Sequence, residues 1–200
     1  INVLEAMKIH KVKRIIFAAS ASCYGMPKKI PTMEIAKIET HYPYSFSKYI
    51  AEQAVIHWSK VYKLEYISLR LFNVYGPRSK TSSAYSDVIS IFMKQKMNNK
   101  PLTVVGDGMQ KRDYTYVKDV VYANILAAKK NNVGNCEIIN IGSGKNYSVL
   151  DIAEIIDFPF EHIPVRKGEA YETLASIEKA KKILNWCPSI SLEEWIQNKG

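Results

Sequence analysis

The chain has 200 residues, 47% of them hydrophobic and 24% charged, proportions of a globular protein that exclude collagen-like, coiled-coil and low-complexity architectures. At that length it can bury a real core as one domain, or as one domain plus a small lobe. Lys and Arg number 28 against 19 Asp and Glu, a formal charge of +9, which favours an anionic partner (nucleic acid, membrane surface or phosphorylated small molecule) without choosing among them.

The opening INVLEAMKIHKVKR lacks the basic, apolar, small-residue order of a signal peptide and reads as a helix already under way, so the sequence is expected to begin inside a larger protein. VKRIIFAAS (12–20) has the pattern of a strand buried on both faces of a parallel sheet. After a Pro- and Lys-rich connection, SKYIAEQAVIHWSKVYK (47–63) places Ala51, Val55, Trp58 and Tyr62 at i, i+4, i+7 and i+11, an amphipathic helix. LEYISLRLF (64–72) follows as a second strand, and strand, helix, strand in that order is a βαβ crossover, hence a parallel pair. Beyond it are expected a helix around 84–97, a strand PLTVVGDG (101–108) closed by a glycine turn, and a helix over 118–130 with Val121, Ile125 and Ala128 on one side. EIINIGSG (137–144) reads as a strand running into glycines, and Ser148 with Asp151 as a capping box opening another helix. The last quarter, with Pro164, Gly168, a helix near 176–184 and Pro188, reads as a smaller lobe.

Cys23, Cys136 and Cys187 are odd in number and widely spaced, which indicates neither a disulfide framework nor a zinc site and makes a reducing cytoplasm the expected location. No apolar run approaches the roughly 18 to 20 residues that span a bilayer, so no membrane association is expected. His10, His41, His57 and His162 are scattered, and no metal site is expected. Cys23 has no His partner in sequence and reads as packing material.

Tyr44 and Lys48 share one face of the helix start at i, i+4 spacing. A phenol serves as a base near neutrality only with a cation beside it, which Lys48 would supply. The same spacing recurs at Tyr24/Lys28 and Tyr114/Lys118. Context distinguishes Tyr44: it stands in a βαβ unit behind a strand whose C-terminal end carries Ser20 and Ser22, and ligands in open parallel sheets bind at such ends. Arg78, Arg112 and Arg166 each follow or precede a glycine turn and could grip a phosphate, although each singly also reads as a surface charge. NIGSGK (140–145) lacks phosphate-loop spacing and reads as a tight turn, and Tyr114 with Tyr116 as aromatics of a half-buried strand.

Taken together, FAASASCYG (17–25), PYSFSK (43–48), LRLFNVYGPR (69–78), GDGMQKRDYTYVKDV (106–120), NIGSG (140–144) and RKGEAYETLAS (166–176) resemble the extended short-chain dehydrogenase/reductase family, most closely its NAD-dependent nucleotide-sugar 4-epimerases. The blocks follow the family's order over most of the chain. The resemblance implies an α/β fold, the C-terminal part of a Rossmann-like doubly wound parallel sheet with a small α/β substrate-binding lobe. Residues 1–77 would be the remaining part of the NAD-binding domain with its catalytic helix, and 78–200 mainly the nucleotide-sugar lobe, with about 101–145 returning to the sheet.

By the same resemblance Ser20, Tyr44 and Lys48 match the catalytic residues, Tyr44, Lys48 and Ala18 face the NAD, and Ser22 lines the sugar site. Phe72 and Asn73 match nucleotide-sugar contacts, Arg112 the arginine that grips the diphosphate, and Arg166 with Glu169 a pair that holds the nucleotide. The implied activity inverts C4 of a UDP-sugar through a 4-keto intermediate. Uronate 4-epimerases, 4-keto reductases, 3,5-epimerase/reductases and inactive nucleotide-sugar binders are the alternatives. Dehydratases and decarboxylating members carry an acid in the segment that here reads Ser22-Cys23, which favours epimerisation. Thr173 stands where epimerases restricted to plain hexoses carry a bulky aromatic, so a UDP-N-acetylhexosamine is expected to fit. The basic residues are spread along the chain rather than gathered in a stripe, which ranks nucleic acid low as a partner. The GxxGxxG turn and acidic ribose ligand are absent from these residues, roughly 100 residues by the usual size of such a half, so the chain by itself is expected to be inactive. A homodimer through the first helix and the 47–63 helix, with Trp58 and Tyr62 at the interface, is also implied.

Overall fold

In a computed structural model the protein is described over residues 1–79, 87–129, 136–165 and 171–198. Helix α1 (Asn2–Ile9) leads into strand β1 (Arg14–Ser20). A 3-10 turn over Ala21–Tyr24 and a long connection precede helix α2 (Pro43–Tyr62). Proline at the first helical position, and the Ser45 hydroxyl accepting the Tyr42 N–H over 3.1 Å, start α2 four residues before the sequence reading placed it. Strand β2 (Glu65–Leu71) then pairs with β1 in parallel from Arg14↔Glu65 to Ser20↔Leu71, as the crossover argument requires. Arg14 Nε and Glu65 Oε2, 2.7 Å apart, pair at the head of that register.

Strand β3 (Asn73–Tyr75), helix α3 (Val88–Met97), β4 (Leu102–Val105), β5 (Lys111–Tyr116) and helix α4 (Val117–Lys129) follow. Then come β6 (Glu137–Ile141), β7 (Asn146–Ser148), helix α5 (Val149–Ile156), β8 (Phe160–Ile163), a π-helical turn at Ala180–Leu184 and helix α6 (Leu192–Gln197). The main sheet has the order β1-β2-β6, all parallel. Two small sheets, β3-β5-β7 and β4-β8, lie beyond it. One core joins β2 and β6 to α4 and the π-helical turn around the fully buried Trp186. A second gathers α3, β4 and α5 around Phe92, Leu102 and Ile152. Ser148 caps α5 as expected: its hydroxyl accepts the Asp151 N–H over 3.0 Å while the Asp151 carboxylate takes the Ser148 N–H over 2.7 Å.

Two sequence readings change. On α4 the side carrying Val121, Ile125 and Ala128 faces outward, and Val120, Ala123 and Ala127 pack into the core instead. The helix is apolar on both sides, and its two fully buried alanines form the side that takes the core. On α2 the expected stripe holds in part: Val55 is buried and Ala51 and Trp58 half-buried, while Tyr62 is exposed and the polar Ser45, Glu52 and Ser59 are buried as well. Among the described residues no helix is long and apolar enough to cross a membrane.

Candidate active site

The carboxyl end of β1 is where the chain concentrates hydroxyl and ammonium groups. Ser20 ends the strand and caps the 3-10 turn: its Oγ accepts the Ser22 N–H over 3.2 Å and lies 2.8 Å from Ser22 Oγ. Helix α2 passes over this point. Lys48 Nζ donates to the Ala18 carbonyl over 2.9 Å and lies 5.8 Å from the centre of the Phe17 ring. Tyr44, one turn earlier on the same face, is 43% exposed. Ala18 is itself exposed. The structure thus brings Ala18, Ser20, Ser22 and Lys48 together, with Tyr44 on the helix that covers them.

Cys23 follows directly but belongs to the core. Burial pushes its thiol up to about 11, as inert packing demands.

A cleft of about 240 Å³ opens between β3, α3, β4 and β5, with Asn73 and Arg112 in its wall. Asp87, Thr103, Gln110 and Tyr114 complete its polar lining. Arg112 Nη1 donates to its neighbour's carbonyl at Lys111 over 2.9 Å, which lays the guanidinium along β5. Phe72 lies elsewhere: it is buried in the core beside Tyr24, ring centres 6.5 Å apart. Thr173 is half-buried next to β5, its N–H donating to Lys111 O over 3.0 Å and its Oγ1 accepting from the Asp113 N–H at 3.4 Å. Arg166 and Glu169 lie outside the described residues. Arg78 is exposed, with left-handed backbone at φ 68, and is not part of the cleft wall.

The glycine turn at 142–144 binds a carboxylate of its own chain. Asp113 accepts the Ser143 N–H and Oγ, the Gly144 N–H and the Ala175 N–H at 2.6 to 3.0 Å. Gly142 makes this possible, since a Cβ there would sit 2.4 Å from Ala175 Cβ and 2.8 Å from Asp113 Oδ2. The amides that a phosphate would need are therefore already taken. The reading of NIGSGK as a tight turn agrees with this geometry.

Residues 1–142 match the model of the NAD dependent epimerase/dehydratase family. The chain belongs to that family. It is 39% identical over 204 residues to a putative UDP-glucose 4-epimerase of Methanocaldococcus jannaschii, covering 98% of this chain and 65% of that relative. The UDP-N-acetylglucosamine 4-epimerase of Methanobrevibacter ruminantium, solved with UDP-N-acetylmuramic acid, superposes with a TM-score of 0.91 at 30% identity, covering 98% of this chain and 64% of that one. The UDP-glucuronic acid 4-epimerase of Bacillus cereus, solved with UDP-glucuronic acid and NAD, superposes with a TM-score of 0.87 at 30% identity, covering 98% of this chain and 62% of that one. The chain thus spans less than two-thirds of the length of these epimerase/dehydratase relatives, and its α/β fold with parallel sheets is the Rossmann-like fold of their structures.

Proposed function

We propose that the protein carrying this chain is an NAD-dependent epimerase that inverts C4 of a UDP-hexose or UDP-N-acetylhexosamine. The observation that carries the reading is the Lys48 to Ala18 contact, which sets the Tyr44 and Lys48 face of α2 over the end of β1 where Ser20 stands.

NAD, held at its nicotinamide end by Tyr44 and Lys48 beside Ala18, would supply the acceptor for the hydride of the sugar carbon and the donor for its return to the opposite face of the 4-keto sugar. The residues here suit its nicotinamide end: an exposed alanine leaves room for a ring, and a phenol with an ammonium suits ribose hydroxyls. Tyr44 takes the proton of the sugar 4-hydroxyl and gives it back. Ser20 donates to the same oxygen and holds it in line, while Ser22 lines the sugar site. Arg112, in the wall of the cleft with Asn73, clamps the diphosphate by charge-assisted hydrogen bonds, so that the nucleotide stays fixed while the sugar turns. Arg166 and Glu169 serve the nucleotide in this reading, and Phe72 supports the site from the core.

Thr173 leaves space beside β5 for an N-acetyl group. A second reading, a UDP-glucuronate 4-epimerase, is favoured by the likeness to the B. cereus enzyme and by the same small residue. Incubating the full-length polypeptide with NAD and each of UDP-glucose, UDP-N-acetylglucosamine and UDP-glucuronate, then separating the C4 epimers, tests the function and decides between the two. Absence of any interconversion contradicts both. A homodimer forms part of this proposal, supported by the exposed Val3, Ile50, Val61 and Tyr62 on α1 and α2. Sedimentation at monomer mass would refute it.

A further inference from the structure

A heavily bonded polar cluster lies beneath the candidate site. Glu52 and Arg70 are 1% and 3% exposed. The Glu52 carboxylate accepts from Arg70 Nη2 at 2.6 Å, Arg70 Nε at 3.2 Å and Ser68 Oγ at 2.6 Å. The other arm of the guanidinium, Nη1, donates to Tyr24 Oη at 2.9 Å and to the Glu34 carbonyl at 3.2 Å. Tyr24 Oη in turn donates to Asn140 Oδ1 over 2.7 Å. Burial raises the Tyr24 pKa, which keeps the phenol protonated and able to make that donation.

A buried ion pair adds little net stability, because desolvation offsets most of its Coulomb gain, and an apolar replacement of equal volume is often as stable. What a planar, bidentate guanidinium does fix is geometry. Here it fixes two segments at once. Glu52 stands one turn past Lys48 and two past Tyr44 on α2, while Tyr24 ends the turn that Ser20 caps and that carries Ser22. Arg70, one residue before the end of β2, holds both.

We propose that Arg70 is a positioning residue, which together with Glu52 and Tyr24 sets the register of Tyr44 and Lys48 against Ser20 and Ser22. This rests on the reading that those four groups act on the sugar, and the experiment separates the two claims. In the full-length polypeptide, Tyr24→Phe removes one hydroxyl and no charge. The pair Glu52→Gln with Arg70→Met removes both charges together, and Tyr44→Phe serves as the reference. With UDP-sugar and NAD, Tyr24→Phe and the double variant are expected to lose about tenfold or more in kcat while KM stays within about threefold. Arg70→Lys, which keeps the charge but not the fork, is expected to remain as slow. Thermal unfolding establishes which variants are folded, and Tyr24→Phe decides if the double variant is not. Folded Tyr24→Phe with unchanged kcat, or with its loss confined to KM, overturns the positioning role provided Tyr44→Phe is inactive. Full turnover by Tyr44→Phe overturns the functional reading itself, and this inference with it.

Discussion

Asp113 accepts the Ser143 amide over 2.6 Å, so a carboxylate from within β5 fills the turn that closes β6. The same carboxylate also holds Gly144 and Ala175, which ties β5, the 142–144 turn and the segment before the π-helical turn into one unit beside Arg112 and Thr173. Asp113→Ala leaves several buried donors unpaired and is expected to cost about 2–4 kcal/mol in urea unfolding. A loss below about 0.5 kcal/mol, the size of an ordinary surface change, would show that the turn holds without it.

The cysteines give a chemical check on burial. Cys136 and Cys187 are exposed, whereas Cys23 is buried with its thiol pushed up to about 11. Alkylation of the native protein at pH 8 is expected to label the first two and spare Cys23, which reacts only in denaturant. Labelling of Cys23 at the rate of the others contradicts its placement in the core.

Glu193 predicts a pH dependence. Burial by itself raises its pKa, but hydrogen bonds from Lys145 and Tyr147 outweigh this, and the folded carboxyl lies below its ordinary value. A depressed folded value contributes stability that is fully present above the unfolded carboxyl pKa of about 4.3 and lost as pH falls through the folded value. Wild type should exceed Glu193→Gln in urea midpoint at pH 6, and the gap should close as the pH drops below about 4. A gap that widens on acidification reverses the sign and refutes the argument.

Thr173 carries the sugar-size argument. Thr173→Tyr is expected to slow turnover of UDP-N-acetylglucosamine about tenfold or more relative to UDP-glucose, because the added ring fills space beside β5. Equal effects on both sugars would place the N-acetyl group elsewhere.

The crossover was legible because a parallel strand, an amphipathic helix and a capping box each leave a local pattern, as at Ile15 to Ala19, Val55 and Ser148, although β1 is only half-buried, with Ala18 exposed, rather than buried on both faces. The packed side of α4 was not, since Val121 and Ala123 are both apolar and only tertiary fit chooses between them. Glu52 and Arg70 did leave a signal: an arginine amid the apolar strand LEYISLRLF must meet a counter-charge, and Glu52 follows Lys48 by one turn. Arg112 stood out as an arginine after a glycine turn, whereas Asn73 came only through the family resemblance. Asp87 and Gln110 join the cleft through long-range folding that no local pattern records.

In the proposed reaction Tyr44 handles the proton of the sugar hydroxyl. The most direct test is C4 epimer formation by the full-length polypeptide and its Tyr44→Phe variant, with saturating UDP-sugar and NAD. Interconversion by the wild type is expected, with a loss of at least about a hundredfold in kcat for Tyr44→Phe and nucleotide-sugar affinity retained. Wild-type turnover by Tyr44→Phe would contradict that role.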